Sequence, residues 1–314
     1  MTTITTRRHP IKFYTILLFV SLLLCALGTI IMLYSIDILQ KGQPTIKQFL
    51  MPVYSLAIYV FVFSIVYTYW RKSPKITVDK HIIRIDDQTF YLRDIKDIKL
   101  LGKMPFHFIM SIPMESTTIL FNDGTEKILF DDMYSNSSDL KLFLEQVFFK
   151  KQDFKPALKN QISINEIQFE NEETFKGNQF TSLRGISLWG LIGFFTLLLF
   201  SEGKTQPVGL IFFGAFGIFW FITHSWLMHY FGLTKKFLII KNHNFFWKLK
   251  IYRLSDIKEI VFETQGKLPN CLRVITNDYR NNLYPAGTLR DKMWLNFKVK
   301  LETKGLIVRN ECIF

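Results

Sequence analysis

Side chains able to do chemistry are scattered along this chain rather than gathered. His224 and His229 stand five residues apart in an apolar stretch. On one α-helix that spacing sets them about 140° apart, too divergent to share a metal ion. Beside Trp226 and Tyr230 they read instead as anchors of a helix end at a membrane–water interface. Asp86-Asp87 and Asp131-Asp132 are adjacent pairs whose side chains diverge on extended backbone, so surface turns are expected. Cys25, Cys271 and Cys312 are far apart and odd in number, as reduced thiols would be. There is no H-E-x-x-H, no EF-hand loop, no phosphate-binding glycine loop and no G-x-S-x-G turn. The expectation is a non-enzymatic protein with no metal and no cofactor.

What remains is charge, with 39 basic against 26 acidic residues and a net charge of +13. Residues 232–314 hold sixteen basic and seven acidic side chains, whereas 71–150 hold twelve of each. Lys248, Lys250 and Arg253 precede an expected turn, and Arg290, Lys292, Lys298 and Lys300 lie on or near an expected helix. Beside an anionic leaflet each well-placed cation gains up to about 1 kcal/mol. These seven are therefore the candidate contacts to anionic lipid or to a partner, and the C-terminal domain is expected to be the more electrostatic binder. Nucleic acid is the less favoured polyanion, because no nucleic-acid-binding motif appears.

Four stretches without any Asp, Glu, Lys or Arg must position these groups: 13–36, 49–70, 185–201 and 207–231. A bilayer core of about 30 Å needs roughly 20 apolar residues in a helix. The third stretch is short and must draw on Thr181–Leu183 or tilt its neighbours, with Arg184 reaching to the surface. The 32 Phe residues suit lipid-facing helices. The first run is too long for a signal-peptide core, and Leu24 before Cys25 argues against lipidation. Arg7, Arg8 and Lys12 precede the first helix, Arg71, Lys72 and Lys75 follow the second, Arg184 precedes the third, and Lys235 and Lys236 follow the fourth. The positive-inside bias then puts both termini and both soluble domains in the cytoplasm, and the Lys-, Ile-, Phe- and Asn-rich usage fits a bacterial source, so a bacterial inner membrane is expected. The expected division is an N-terminal segment 1–12, a hairpin 13–70, a soluble domain 71–150, a linker 151–180, a second hairpin 181–231 and a second soluble domain 232–314. Glycines 185, 190, 193, 209, 214 and 217 are expected to let these helices pack closely.

The two soluble segments follow one order. TTILFNDGTEKILF (117–130) alternates around Asn122-Asp123-Gly124, a hairpin signal, and LRVITNDYRNNLYP (272–285) repeats Asn277-Asp278 without the glycine, so its turn should exceed two residues. Between Pro105 and Pro113 the backbone need not be regular. Leu140, Phe143, Leu144 and Val147 mark a helix behind Ser137 and Ser138 as caps. Leu289, Met293, Trp294, Phe297 and Leu301 mark another, with Thr288 to Asp291 as a capping box and Gly305 as its stop, followed by a strand over 306–308. The polar linker carries Glu170, Glu172 and Glu173, and Ile162 to Phe169 alternates enough to add a strand.

Each copy also carries Y-x-x-x-D-I-x-x-I or its one-residue-longer form: Tyr91, Asp94, Ile95 and Ile98, then Tyr252, Asp256, Ile257 and Ile260. Short strands closed by an amphipathic helix, fed by paired apolar helices, resemble the bacterial PH-like (bPH) membrane proteins over 75–148 and 235–310. The resemblance implies a membrane α + β protein: four transmembrane helices in two hairpins, each followed by a cytoplasmic PH-like β-barrel or sandwich closed by a C-terminal helix. Within it the two isoleucines plug the core rather than touch ligand. The implied work is binding, to lipid headgroups or to a protein at the inner membrane face. A small-solute channel or transporter regulated by its soluble domains is the alternative from another class, although the spans hold no Asp, Glu, Lys or Arg to carry ions. A membrane-resident partner or protective subunit is the third.

Overall fold

The structure is a computed structural model that describes residues 3–42, 45–107, 111–157, 162, 172–201 and 207–312. It divides into two compact units, Met1–Ala157 and Leu158–Phe314. In the first, strand β1 (Ile4–Thr5) leads through a wide helical turn into α1 (Ile16–Lys41), a short α2 (Ile46–Phe49) and α3 (Met51–Arg71). Strands β2 (Ile76–Val78), β3 (Ile82–Ile85), β4 (Gln88–Tyr91), β5 (Ile95–Lys99), β6 (Lys103–His107), β7 (Ser111–Phe121) and β8 (Glu126–Phe130) follow, then α4 (Ser137–Leu144). In the second unit β9 (Glu173–Phe175) precedes α5 (Leu183–Ser201) and α6 (Pro207–Trp226). Next come β10 (His229–Leu233), β11 (Phe237–Asn242), β12 (Lys250–Arg253), β13 (Ile257–Glu263), β14 (Cys271–Thr276), β15 (Asn281–Pro285), α7 (Asp291–Thr303) and β16 (Val308–Asn310).

Four helices are long and apolar enough to cross a membrane: Pro10–Lys41, Ile46–Arg71, Leu183–Phe200 and Gly209–Trp226. Most of their large apolar side chains point away from the protein, as lipid would require. α1 and α3 run antiparallel: Phe13, just before α1, packs on Tyr69 and Trp70 at the end of α3, while midway Ser55 Oγ donates to the Gly28 carbonyl at 2.7 Å and Thr29 Oγ1 meets the Tyr59 hydroxyl at 2.8 Å. A Cβ at Gly28 would lie 3.3 Å from the Tyr59 ring, so this glycine sets the closeness of the pair. In α5 and α6, Trp220 Nε1 donates to the Ser187 carbonyl at 3.3 Å and Phe195 packs on Phe213 and Phe216. The span glycines named above do not serve that packing: a Cβ at Gly190, Gly193, Gly209, Gly214 or Gly217 would meet nothing within 4 Å, and one at Gly185 would strike the Gln179 carbonyl.

Each helix pair is inserted inside a sheet. β1, before the first pair, is the antiparallel neighbour of β2, after it, with Ile4 opposite Val78; the sheet runs β1-β2-β3-β4. β9, before the second pair, lies beside β10, with Phe175 opposite Phe231, and the sheet runs β12-β11-β10-β9. A chain that must return to pair with its own start brings both feet of a helix pair to one place. In each unit a further antiparallel arrangement packs on this sheet, β5-β7-β6 with β8 on β7, and β15-β14-β13 with β16 added in parallel. Ile76, Val78, Ile83, Ile119, Phe121 and Leu129 share one core with Leu140, Phe143 and Leu144 of α4. Phe231, Leu238, Ile260, Phe262 and Val274 share the other with Trp294, Phe297 and Leu301 of α7, where the Phe231 and Phe297 rings stack at 5.2 Å.

Several sequence expectations shift. The fourth apolar helix ends at Trp226, and His229 and Tyr230 lie on β10 instead. Because β9 and β10 start the second sheet, that module reaches upstream of residue 232. Within the expected linker, 173–175 form β9; of the strand expected over 162–169, residues 163–169 lie outside the described residues, as does Glu170. Pro105 and Pro113 sit opposite each other in a regular antiparallel β6–β7 pair, along the part of β7 that among the described residues has no third strand to need their missing N–H groups. Neither expected N-cap holds. Asn136 precedes α4 and uses its side chain on the backbone of Thr5 and Arg7, while Thr288 is buried and bonded to His243 Nε2, leaving Arg290 to precede α7. Gly305, at φ +79°, does stop α7, with its N–H on the Glu302 carbonyl and that of Leu306 on Leu301. The last strand starts at Val308, two residues late.

Candidate functional site

One turn of sequence Leu-x-Asp, followed by Ile, anchors each module. Leu92–Asp94 and Leu254–Asp256 are single 3₁₀ turns, after which Ile95 and Ile98, or Ile257 and Ile260, enter the core. The Asp residues act through backbone: their carbonyls accept the N–H of Asn122 and of Asn277, both at 2.8 Å, fixing the next hairpin. Tyr91 is exposed and Tyr252 buried, its hydroxyl 2.5 Å from that of Tyr284; burial pushes the Tyr252 phenol up to about 12. This motif is part of the scaffold.

Among the described residues no three or more His, Cys, Asp or Glu side chains are placed to hold a metal ion, and the three cysteines form no disulfide. His224 stays on α6, its ring 3.8 Å from that of Trp220. His229 instead lies buried in β10, with Nδ1 donating to the Pro285 carbonyl at 3.0 Å, and burial pulls it down to about 4. It is no interfacial anchor. Asp86 does sit in a surface turn between β3 and β4, accepting the Lys75 N–H. Asp131 does not: it is buried and paired at 2.7 Å with buried Lys141, while Asp132 pairs with Lys12.

The seven nominated cations do not converge. Lys248, Lys250 and Arg253 belong to the β12 edge of the sheet, where Lys248 Nζ sits 4.5 Å from the Phe245 ring centroid and Lys250 Nζ 5.9 Å from that of Tyr252. Lys300 is at the opposite edge, 3.2 Å from Glu173 of β9, and Lys298 is 3.7 Å from Glu302. Arg290 and Lys292 are exposed at the start of α7. Other cations of this unit are paired within it, Lys241 with Glu172, Arg273 with Glu263 and Arg309 with Glu259.

The first unit gathers cations instead. A groove of about 1270 Å³ opens beside the foot of α3, lined by Arg8, Arg71, Lys72, Lys75, Arg84 and Lys127 together with Asp86, Asp87 and Glu126. Its walls come from the segment after β1, the end of α3 and the stretch that follows it, β2, β3, the β3–β4 turn, β4, β6 and β8. Arg8 is locked, its guanidinium donating to the Ser73 carbonyl at 2.9 and 3.0 Å and stacking 3.9 Å over Trp70. Lys72 lies over the Phe106 ring, and Lys127 reaches Gln88 Oε1 at 2.8 Å. Among the described residues none of the six forms an ion pair. Sequence reading missed the site because 71–150 is balanced overall and its cations lie far apart along the chain. The one local signal was the Arg71-Lys72-x-x-Lys75 cluster after the apolar run.

In comparisons with known proteins, no protein-family model and no curated protein matches this chain.

Proposed function

We propose that the chain is a multi-pass protein of a bacterial inner membrane, whose two helix pairs each carry a PH-like module, and that it works by binding anionic lipid headgroups rather than by catalysis. The two modules are read as copies of one unit. The basic residues that flank the feet of each helix pair orient those feet to the cytoplasm. The observation that carries the binding reading is the groove of the first unit, lined beside the end of an apolar helix by six cations, none in an ion pair among the described residues, and by three acids. Phosphate is the group such a surface recognises, since Arg offers forked donors and Lys a point charge.

The test uses the full-length protein in nanodiscs of neutral phosphatidylcholine doped with phosphatidylglycerol, with retained lipid read by native mass spectrometry. Saturable, salt-sensitive retention of phosphatidylglycerol is expected. At about 1 kcal/mol per cation, Arg84→Gln with Lys127→Gln should weaken it by roughly tenfold or more. Equal retention of both lipids by the wild type, or no change in the double variant, overturns the headgroup reading. Stoichiometric co-purification of a protein without lipid preference would replace it by a protein ligand.

A further inference from the structure

The hairpin between β11 and β12 carries the segment Asn244-Phe245-Phe246-Trp247-Lys248-Leu249-Lys250. Its base is fixed to the last turn of α6. Asn242 Nδ2 donates to the Ser225 carbonyl at 2.7 Å and Asn244 Nδ2 to the Ser225 hydroxyl at 2.8 Å. Its first aromatic ring turns back along that helix: Phe245 is buried with its ring edge-on to Phe221 at 6.2 Å. Phe221 lies four residues before Ser225, about 6 Å further into the apolar span. The hairpin therefore climbs the helix rather than falling away from it.

Among the described residues the next two rings make ring contacts only with each other and, for Trp247, with Phe245. Phe246 is 83% exposed and Trp247 65%, an uncommon cost for two aromatics on a hairpin of a folded module. Trp226 is exposed at the same helix end, and Trp189 of α5 packs on Phe221. Rings with one apolar body and flanking cations collect at the headgroup level of a bilayer. Lys248 and Lys250 follow the rings and are exposed.

We propose that Phe246 and Trp247 insert at the headgroup–acyl boundary of the bilayer that α6 crosses, with Lys248 and Lys250 on the phosphates of anionic lipid. The inference rests on the reading of α6 as a membrane span. It adds a contact that clamps the second module flat against its own membrane, so that the module cannot swing freely on its helix pair. Buried aromatic area supplies the hold, and the two lysines make it stronger on anionic than on neutral bilayers.

The test is tryptophan quenching in the full-length protein, reconstituted in vesicles of phosphatidylcholine and phosphatidylglycerol brominated high on the acyl chains. The wild type is compared with Trp247→Phe and with the exchange Phe246→Trp plus Trp247→Phe. Trp247→Phe should lose a component quenched by the brominated lipid and shielded from aqueous acrylamide, and the exchange should restore it. Without phosphatidylglycerol the component should become more open to acrylamide. If the component lost in Trp247→Phe is quenched by acrylamide and untouched by brominated lipid, the insertion is wrong. If Trp189 and Trp220 also escape the lipid quencher and alkali releases the protein, the span reading itself has failed.

Discussion

The two units handle charge in opposite ways. In the second, which holds nine more basic than acidic residues over 232–314, Arg273, Arg309, Lys300 and Lys241 each meet an acid, at Glu263, Glu259, Glu173 and Glu172. In the first, 71–150 is balanced on paper, yet five of its cations and Arg8, none in an ion pair among the described residues, border one groove at the foot of α3. The aromatic rings are used differently too. At the groove rim Trp70 carries Arg8 stacked on its ring, whereas the second unit holds Phe246 and Trp247 out on a hairpin, where the rings touch only one another and Phe245 among the described aromatic rings. Net charge of a segment therefore says little about where a ligand sits. What matters is whether each cation already has an acid.

The sharpest way to break this comparison is to strip an acid from a buried pair. Arg273 and Glu263 are each 1% exposed and meet at 2.6 and 2.9 Å; Lys141 and Asp131 form the corresponding buried pair of the first unit. Glu263→Ala leaves a guanidinium uncompensated in the core and should cost about 3–5 kcal/mol, as should Asp131→Ala. Unit-resolved hydrogen exchange should show each loss confined to its own unit. Replacing both partners together, Glu263→Leu with Arg273→Met, should recover most of the loss. If it does not, the pair acts beyond simple charge compensation, for instance through Arg273 Nη1 and Asn281 Oδ1 at 2.6 Å.

Acid should separate the units next. Burial holds His229 down at about 4 and, with Lys176 adding repulsion, His243 at about 4 as well. Free imidazole titrates near 6.5, so between those values the unfolded chain binds protons that the folded unit refuses. Stability is whole above about pH 6.5 and falls as pH drops toward 4, by about 3 kcal/mol for His229 alone. Amide exchange of β10, β11 and β15 should rise across this window. His229→Gln, which keeps a donor for the Pro285 carbonyl, should flatten the dependence. An equal acid response in wild type and variant would remove His229 as its source.

How much of this was readable follows from where each feature keeps its information. Apolar spans, the Asn-Asp-Gly turn, the paired isoleucines after Asp94 and Asp256 and the Gly305 stop are local, and local chemistry decides them. The end of α6 was misread because β10 is itself buried, so His229–Leu233 continues the apolar run without any change of composition. β1 is two residues long, and its identity depends on Val78 and Asn136 far along the chain. The groove and the Asp131–Lys141 pair are likewise assembled by topology, from residues whose neighbours in sequence look like ordinary surface.

The smallest expected effect lies in the two matching turns. The Phe121 N–H to Thr125 carbonyl bond and the Thr276 N–H to Arg280 carbonyl bond each close a loop of three residues. The third residue is left-handed in both, Gly124 at φ +84° and Tyr279 at +61°. A tyrosine there carries roughly 1–2 kcal/mol of backbone strain that glycine avoids. Tyr279 offsets it with buried ring area, with Lys258 Nζ at 2.6 Å from its hydroxyl and with the same ammonium 4.1 Å over its ring. Tyr279→Gly removes strain and contacts together and should move stability by less than about 0.5 kcal/mol. Tyr279→Ala keeps the strain and loses the contacts, so it should cost about 1–2 kcal/mol. Gly124→Ala introduces the strain with nothing to offset it, since a Cβ there meets open space, and should cost about 1 kcal/mol. Chemical denaturation of the three variants ranks them, and a Tyr279→Gly loss as large as that of Tyr279→Ala would mean the contacts alone, not the backbone, govern this turn.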